Sequence, residues 1–291
     1  MLTLKEVSLR KGKRTYLDEV SFTAEAGRIT AIVGTRSAGR TELVRIIMGL
    51  IAADEGTIEL EDFELDFGDR QNFGYLPAER GGYPNMRVLD QIVYLARLHG
   101  ITLGAAERNA LTLLGHLELA DRGYAPLKNL SGAEIARVDI AATLAADPDV
   151  VVIDDAFAGL DAASLRLVTS LLRAHASSGV PVILATDDWE AAQTFADDVV
   201  ILGQGKVTAK GSVEKLLGDP HFRVETTDTE AAASALKSRT GISDVKTAGR
   251  ERVSFRADDA KTAAAAVAEL ENVKNFESVR PTLAEQYKEA L

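Results

Sequence analysis

Short, almost uninterrupted runs of valine, isoleucine and leucine constrain the fold of this chain more than any other feature. Strands that are covered on both faces of a parallel sheet need such runs, because neither face meets water. Helical stretches separate the runs, and this alternation predicts an α/β domain with helices on both sides of a mostly parallel sheet. The runs lie at Ile29–Val33, Val150–Ile153, Val182–Leu184 and Val199–Leu202, and the helices at about 40–48, 89–98, 105–114, 132–145, 163–176 and 189–196.

Other segments depart from this parallel pattern. Residues 2–24 and 57–60 alternate between apolar and polar, which indicates an antiparallel β subdomain, and residues 88–142 read as an inserted helical subdomain. From Phe222 the order becomes strand, helix, strand, strand, helix, strand, which is the order of a small ferredoxin-like α+β unit. We therefore predict two domains, at residues 1–219 and 220–291, the second ending in a short helix near Leu283 to Ala290.

Composition excludes several classes of protein. The 291 residues include no cysteine, so neither a disulfide framework nor a thiolate metal site can form, which fits a reducing cytosol. A net charge of −11 argues against a protein that coats nucleic acid, and the basic stretch Arg10–Arg14 is better explained as a solvated hairpin. The N-terminus does not resemble a signal peptide and no apolar run is long enough to cross a bilayer. We expect a cytoplasmic protein that reaches any membrane through partner subunits.

A glycine-containing loop directly follows the first apolar run and opens a helix, which is where a phosphate-binding loop belongs. The amides of such a loop hold phosphate oxygens, a basic side chain adds charge, and a Ser or Thr hydroxyl binds Mg²⁺. Taken alone the match is weak, because an ordinary glycine turn between a strand and a helix explains it better. The loop consists of Gly34, Thr35, Arg36, Ser37, Ala38, Gly39, Arg40 and Thr41.

Two carboxylates end the second apolar run. Asp154 at the end of the strand is suited to hold Mg²⁺ together with Thr41, and Asp155 is placed to polarise an attacking water. Asp161 follows in a Gly-Leu-Asp sequence just before a helix. It is either part of the same site or simply the N-cap of that helix.

Two further motifs have equally plain structural explanations. Ser131 and Glu134 form the pattern of a capping box ahead of a long helix, although the segment also fits a signature loop that binds a γ-phosphate. Asp187 and Asp188 end the third apolar run, and either could be the N-cap of the helix that follows. The segment that fits the signature loop consists of Leu130, Ser131, Gly132, Ala133 and Glu134.

The order of these motifs decides between the alternatives. Over residues 1 to about 217 the chain resembles an ATP-binding-cassette (ABC) ATPase of transporters, because its motifs follow one another along the chain in the same order as in that family. Residues 74–84 and the tail 281–287 resemble exporter-type cassettes that carry a small C-terminal α/β extension. The resemblance implies a head-to-tail dimer, with ATP and Mg²⁺ held between the phosphate loop of one cassette and the signature of the other. It also implies integral membrane transporter subunits as partners, with the cassette on the inner face of the cell membrane.

The chain differs from that family mainly at the positions that bind and cleave the terminal phosphate of ATP. Arg40 stands where the family has a lysine, and Ser37 where a glycine lets the backbone approach the phosphates. Asp155 replaces the catalytic glutamate and is one methylene shorter, and Asp187 replaces a histidine that would contact the γ-phosphate. Ala78 replaces the residue that links the site to the membrane subunit. We treat Asp155, Asp187 and Ala78 as degenerate catalytic positions.

The adenine side of the site also differs. Lys11 stands where an aromatic side chain usually stacks on the base, and Tyr16 is the nearby candidate to replace it. Because the strands and the signature are intact while groups around the γ-phosphate differ together, the pattern indicates selective change rather than decay.

Three functions remain for this sequence. We favour an ATP-binding transporter subunit with weak intrinsic hydrolysis, paired with a different and competent cassette that uses Ser131 and Gly132 of this chain. The alternative from another class is a non-hydrolysing scaffold or nucleotide sensor on the membrane complex. A cassette of DNA repair or translation fits less well, since such proteins usually carry a coiled-coil insertion or a second cassette, and the chain is acidic.

Overall fold

The computed structural model describes residues 1–66, 68–79, 81–155, 157–218, 221–249, 251–280 and 282–287. The chain divides into two compact units, the first being Met1–Val213 and the second starting at Glu214. The predicted boundary at residues 219 and 220 lies outside the described residues, as does Arg80 of the exporter-like segment.

The first unit contains ten strands and six α-helices among its described residues, and a seventh α-helix, α7 (Val213–Leu217), spans the boundary between the units. The strands are β1 (Leu2–Lys11), β2 (Arg14–Ala24), β3 (Ile29–Gly34), β4 (Glu55–Leu60), β5 (Phe63–Glu64), β6 (Phe73–Leu76), β7 (Val150–Asp154), β8 (Val182–Thr186), β9 (Asp198–Gly203) and β10 (Lys206–Ser212). The helices are α1 (Arg40–Ile47), α2 (Val88–Leu98), α3 (Leu103–His116), α4 (Gly132–Leu144), α5 (Ala162–Ala176) and α6 (Trp189–Phe195).

A six-stranded sheet with the order β10-β9-β3-β8-β7-β6 forms the centre of the first unit. All neighbours from β9 to β6 are parallel, and β10 pairs antiparallel with β9 at the edge. Every residue of β3, β7 and β8 is buried, because these strands are covered on both faces. The four apolar runs are therefore central parallel strands, as predicted, whereas β6 and β10 were not predicted.

An antiparallel sheet with the order β2-β1-β4-β5 accompanies the central sheet. Its first hairpin turns between Lys11 and Arg14, where the basic stretch is exposed, and this agrees with the solvated hairpin expected there. Helices α2, α3 and α4 pack on one another and form the helical insertion. The predicted subdomains within the first unit thus have the predicted type of structure.

The second unit contains β11 (His221–Thr226), α8 (Thr229–Lys237), β12 (Ile242–Ala248), β13 (Arg252–Ala257), α9 (Ala260–Ala268), β14 (Val273–Val279) and α10 (Leu283–Gln286). Its four strands form an antiparallel sheet in the order β12-β13-β11-β14. A core of its own includes Phe222, Val224, Phe255 and the buried residues of α8 and α9. The last part of the helix predicted near 283–290 lies outside the described residues.

Within the described ranges, the structure contains no helix with both the length and the apolar character needed to span a bilayer.

Candidate functional site

The carboxyl ends of three neighbouring parallel strands bring the predicted site residues to one edge of the central sheet. Val33 of β3 pairs with Thr186 of β8, and Asp154 of β7 pairs with Ala185 of β8. The loop after β3, Asp187 after β8 and Asp155 after β7 therefore leave the sheet side by side. Since β8 lies between β3 and β7, Asp187 stands between the phosphate loop and the carboxylates at the end of β7.

The loop after β3 turns tightly and ends at the start of α1. The Ala38 amide donates to the Thr35 carbonyl at 3.1 Å, and Ser37 and Gly39 both have positive φ, at 72° and 99°. A Cβ on Gly39 would lie 2.6 Å from the Tyr16 carbonyl oxygen, so only glycine fits there. The N-terminus of α1 has no side-chain cap. Its first amides therefore remain available to an anion.

Asp154 is a buried carboxylate beside the start of α1. The residue is only 5% exposed, and this burial raises the pKa of its carboxyl above the ordinary value. A hydrogen bond with the Thr41 hydroxyl and the charge of Arg40 lower that pKa in part. A divalent cation would offset the cost of burying this charge, and oxygen donors are those that Mg²⁺ prefers. Among the described residues, no group of three or more His, Cys, Asp or Glu side chains is placed to hold a metal ion.

Asp187 forms ion pairs with the two arginines of the loop. Its carboxylate lies 3.7 Å from the Arg40 guanidinium and 4.0 Å from that of Arg36. The Arg40 side chain is 15% exposed, whereas that of Arg36 is 94% exposed, so Arg40 is the better shielded partner. Sequence reasoning missed this contact. The available signal was the presence of opposite charges at the ends of two strands that were both predicted to be parallel.

The choice of N-cap between the two adjacent aspartates is resolved. Asp188 is the N-cap of α6 and accepts a hydrogen bond from the Ala191 amide at 2.9 Å. The Asp188 amide donates to the hydroxyl of the buried Thr186 at 3.0 Å. The first bond closes the turn around Asp187, and the second ties that turn to the start of α6. The Asp187 side chain takes no part in the cap and faces the arginines.

Asp155 and Ala78, the other two predicted catalytic positions, follow β7 and β6. Asp155 has φ 55° in a turn directly after β7, and its carbonyl accepts the Ala158 amide at 3.2 Å. Ala78 is exposed after β6 and brings no polar side-chain group.

The predicted adenine side of the site contains one aromatic ring with two cations near it. The Arg14 guanidinium lies 4.5 Å and the Lys11 ammonium 5.4 Å from the centroid of the Tyr16 ring.

The signature segment belongs to the helical insertion and not to this sheet edge. Ser131 and Glu134 make both hydrogen bonds of the predicted capping box at the start of α4. The Arg122 guanidinium lies 3.0 Å from the Glu134 carboxylate and offsets its charge. Leu130 is buried, whereas Ser131 and Gly132 are exposed, and a Cβ on Gly132 would meet open space. Both the cap and the surface needed by a signature loop are therefore present.

Asp161 is the N-cap of α5. It accepts the Ser164 amide at 2.7 Å, and this bond holds the pKa of its carboxyl below the ordinary value, with a smaller contribution from the charge of Arg137. The Arg137 guanidinium also donates to the Leu117 carbonyl at 2.7 Å. The capping role expected for Asp161 is thus present.

Residues 17–158, which contain the phosphate loop, the signature segment and the Asp154–Asp155 pair, match the sequence model of the family described as ABC transporter. The chain carries an ABC transporter ATP-binding cassette. It is 27% identical over 216 residues to the uncharacterized ABC transporter ATP-binding protein YhaQ of Bacillus subtilis (strain 168), covering 74% of this chain and 72% of that relative. It is 29% identical over 255 residues to the daunorubicin resistance ATP-binding protein DrrA3 of Streptomyces coeruleorubidus, covering 83% of this chain and 79% of that relative.

The fold agrees with that assignment. A solved ATP-binding subunit of an ABC transporter superposes on this cassette with a TM-score of 0.67 at 25% identity, covering 74% of this chain and 91% of that chain. The predicted P-loop cassette fold is therefore confirmed. ABC cassettes bind ATP, generally with Mg²⁺, and here the uncapped α1 N-terminus, Thr41 and buried Asp154 fit the phosphates and the ion. The carboxylate of Asp187 opposes the phosphates, since its charge has the same sign as theirs.

Proposed function

We propose that this ATP-binding subunit holds nucleotide at its own site with little turnover and works in a pair with a different, competent cassette. The ion pair between Asp187 and Arg40 carries the proposal, because it places a carboxylate where an efficient site needs a donor to the terminal phosphate. A carboxylate accepts hydrogen bonds but cannot donate them, and its charge repels phosphate. The retained Ser131 and Gly132 support the second half of the proposal, since they are exposed at the start of α4.

Each group of the site has a defined part in this proposal. The loop amides and the N-terminus of α1 bind phosphate oxygens, and Arg40 adds positive charge beside them. Thr41 and Asp154 would hold Mg²⁺, which neutralises charge on the phosphates when it is bound. Asp155 reaches less far than a glutamate, and a misplacement of about 1 Å can lower a rate by about a hundredfold. The chain therefore binds and orients nucleotide better than it activates water.

Integral membrane subunits are the remaining partners of the chain in this proposal. A cleft of about 250 Å³ lies beside the end of β6, next to the position of Ala78, and its lining combines apolar side chains with the polar ones of His99, Asp139 and Thr143. Such a mixed surface suits a short amphipathic segment of a membrane subunit. The lining also includes Tyr75, Leu76, Pro77, Leu95, Leu98 and Ala142. The names of relatives include Nod factor export, sulfate/thiosulfate import and intermembrane phospholipid transport. Such varied cargo supports a chain that supplies energy on the cytoplasmic face while its partners select the substrate.

The test is ATP hydrolysis by the complex purified through a tag on this chain, compared with that of the chain alone. We expect little hydrolysis by the chain alone. In the complex, the triple variant Arg40→Lys, Asp155→Glu, Asp187→His should leave the rate nearly unchanged, because the partner's site does the work. The variant Ser131→Ala should abolish it.

Three results would overturn the proposal. Hydrolysis by the isolated chain at a rate usual for enzymes, about 1–10³ s⁻¹, would show that its own site is competent. If calorimetry detects binding of neither Mg²⁺-ATP nor Mg²⁺-ADP, the chain acts as a scaffold and not as a nucleotide-binding subunit. A tagged complex that contains this chain as its sole cassette would contradict the asymmetric pairing.

A further inference from the structure

We propose that Asp187 is a built-in substitute for a terminal phosphate, so that the site selects a nucleoside diphosphate over the corresponding triphosphate. The inference rests on the proposed function insofar as the loop binds nucleotide. It goes further by naming the nucleotide that the site prefers and the residue that sets the preference.

The position of Asp187 in the sheet defines which phosphate it opposes. The basic residue at the start of the helix in a phosphate loop contacts the last two phosphates of a triphosphate, and here that residue is Arg40. The attacking water in such sites approaches the terminal phosphate from the side of the acid after the metal-binding aspartate, here Asp155. Because β8 lies between β3 and β7, Asp187 projects from the strand end between those two groups. That interval is where a terminal phosphate would lie.

The contacts of Asp187 are those that an anion in this place would make. Its carboxylate pairs with Arg40 at 3.7 Å and with Arg36 at 4.0 Å. The Arg40 side chain is 15% exposed and that of Asp187 is 48% exposed, so solvent screens this pair mainly from the side of Asp187. The carboxylate thus already neutralises the cation that would otherwise attract the extra charge of a triphosphate.

Hydrogen bonds of the neighbouring residue hold the backbone turn that carries Asp187. The Asp188 amide is bonded to the Thr186 hydroxyl at 3.0 Å, and the Asp188 side chain caps α6 at 2.9 Å. The turn that carries Asp187 is therefore fixed to a buried strand on one side and to a helix on the other. A diphosphate can meet Arg40 without entering the interval beside Asp187, whereas a triphosphate places its third phosphate next to the Asp187 carboxylate and brings like charges together.

Isothermal calorimetry with the full chain and Mg²⁺ tests this selection. The ligands are ADP and the non-hydrolysable ATP analogue adenylyl imidodiphosphate, and the variant is Asp187→Asn, which removes the charge and keeps the shape. We expect wild-type protein to bind ADP at least about tenfold more tightly than the analogue, a modest effect for two charges within about 4 Å near a surface. The variant should reduce that ratio by about tenfold, mainly by tightening the analogue.

The matched control is Asp188→Asn, which removes the neighbouring carboxylate while Asn remains a good N-cap. It should leave the ratio of the two affinities unchanged. A wild-type ratio near one, or a ratio that Asp187→Asn does not alter while both nucleotides bind, would overturn this inference and leave the proposed function intact. Absence of binding by both nucleotides would overturn the nucleotide site itself, and the inference with it.

Discussion

Ser37 adopts a backbone conformation that glycine takes without steric cost. Its φ of 72° lies in the left-handed region, where a Cβ costs about 1–2 kcal/mol. We predict that Ser37→Gly is more stable than Ser37→Ala by about 1 kcal/mol, since the two variants differ only in that Cβ. Urea unfolding of the two variants, followed by circular dichroism, measures the difference.

Ser170 provides the matched control for this prediction. It is exposed within α5, where alanine is favoured over glycine by about 1 kcal/mol. The sign of the Gly-to-Ala difference should therefore reverse between positions 37 and 170. Equal signs at both positions would show that Ser37 carries no left-handed strain.

The residues of the site were largely predictable, but one of their contacts was not. Motif order along the chain led to Thr41, Asp154 and the loop, because each motif has a fixed place relative to a strand or a helix. The pairing of Asp187 with Arg40 depends on the exact neighbour order of β3 and β8. Sequence gives the sign of these charges, whereas the distance between them follows only from the sheet.

At the scale of elements, predictability followed hydrophobic patterning. Strands β3, β7, β8 and β9 are nearly continuous apolar runs, and each was predicted. The edge strand β10 was missed because its sequence, Lys206–Ser212, is polar and leaves no residue fully buried. Strand β6 was missed because it has only four residues, one of them a glycine, inside a segment that was interpreted as a motif.

The capping box of α4 allows the structural and functional roles of Ser131 to be separated. Ser131 accepts the Glu134 amide at the start of α4, and loss of such a cap costs about 1 kcal/mol. We predict that Ser131→Ala loses about that much stability and also the ATPase activity of the complex. Ser131→Asp should keep the cap and the stability but lose the activity, because its charge repels phosphate. Denaturant unfolding and ATPase assays of the same preparations measure both effects.

Thr102 is the control for the cap at α4. It caps α3 in the same helical insertion, through a hydrogen bond from the Ala105 amide, but it belongs to none of the family's motifs. Thr102→Ala should lower stability by a similar amount and leave the activity of the complex unchanged. Loss of activity in both alanine variants would mean that stability of the insertion, and not the signature, sets the rate.

The second unit should respond to acid through His221. Burial lowers the pKa of this imidazole below its ordinary value, and the charge of Arg223 lowers it further. The folded unit therefore binds fewer protons than the unfolded chain, so its stability is fullest above about pH 6.5 and falls as the pH drops below that value. His221→Gln should flatten this dependence between about pH 7 and 5 in thermal unfolding. An unchanged slope would exclude His221 as its source.

Across the whole molecule, the two units have separate cores. The core that holds the phosphate loop in place comprises residues between Leu2 and Leu202, whereas that of the second unit comprises residues between Phe222 and Val267. Leu43 on α1 and Phe255 on β13 are each almost fully buried in their own core. Truncation of a large buried side chain in one core should therefore destabilise the unit that contains it more than the other unit.

We predict that Phe255→Ala destabilises the second unit by about 3–5 kcal/mol and that Leu43→Ala destabilises the first by about 2–5 kcal/mol. Hydrogen exchange read by mass spectrometry distinguishes the two effects. Phe255→Ala should lose protection in β11 and β13 while β3 and β7 stay protected, and Leu43→Ala should show the reverse. Binding of Mg²⁺-ADP should survive the first variant and weaken in the second, since α1 supplies Arg40 and Thr41. If either variant removed protection from both units equally, the chain would unfold as one cooperative body and the separate cores would not act independently.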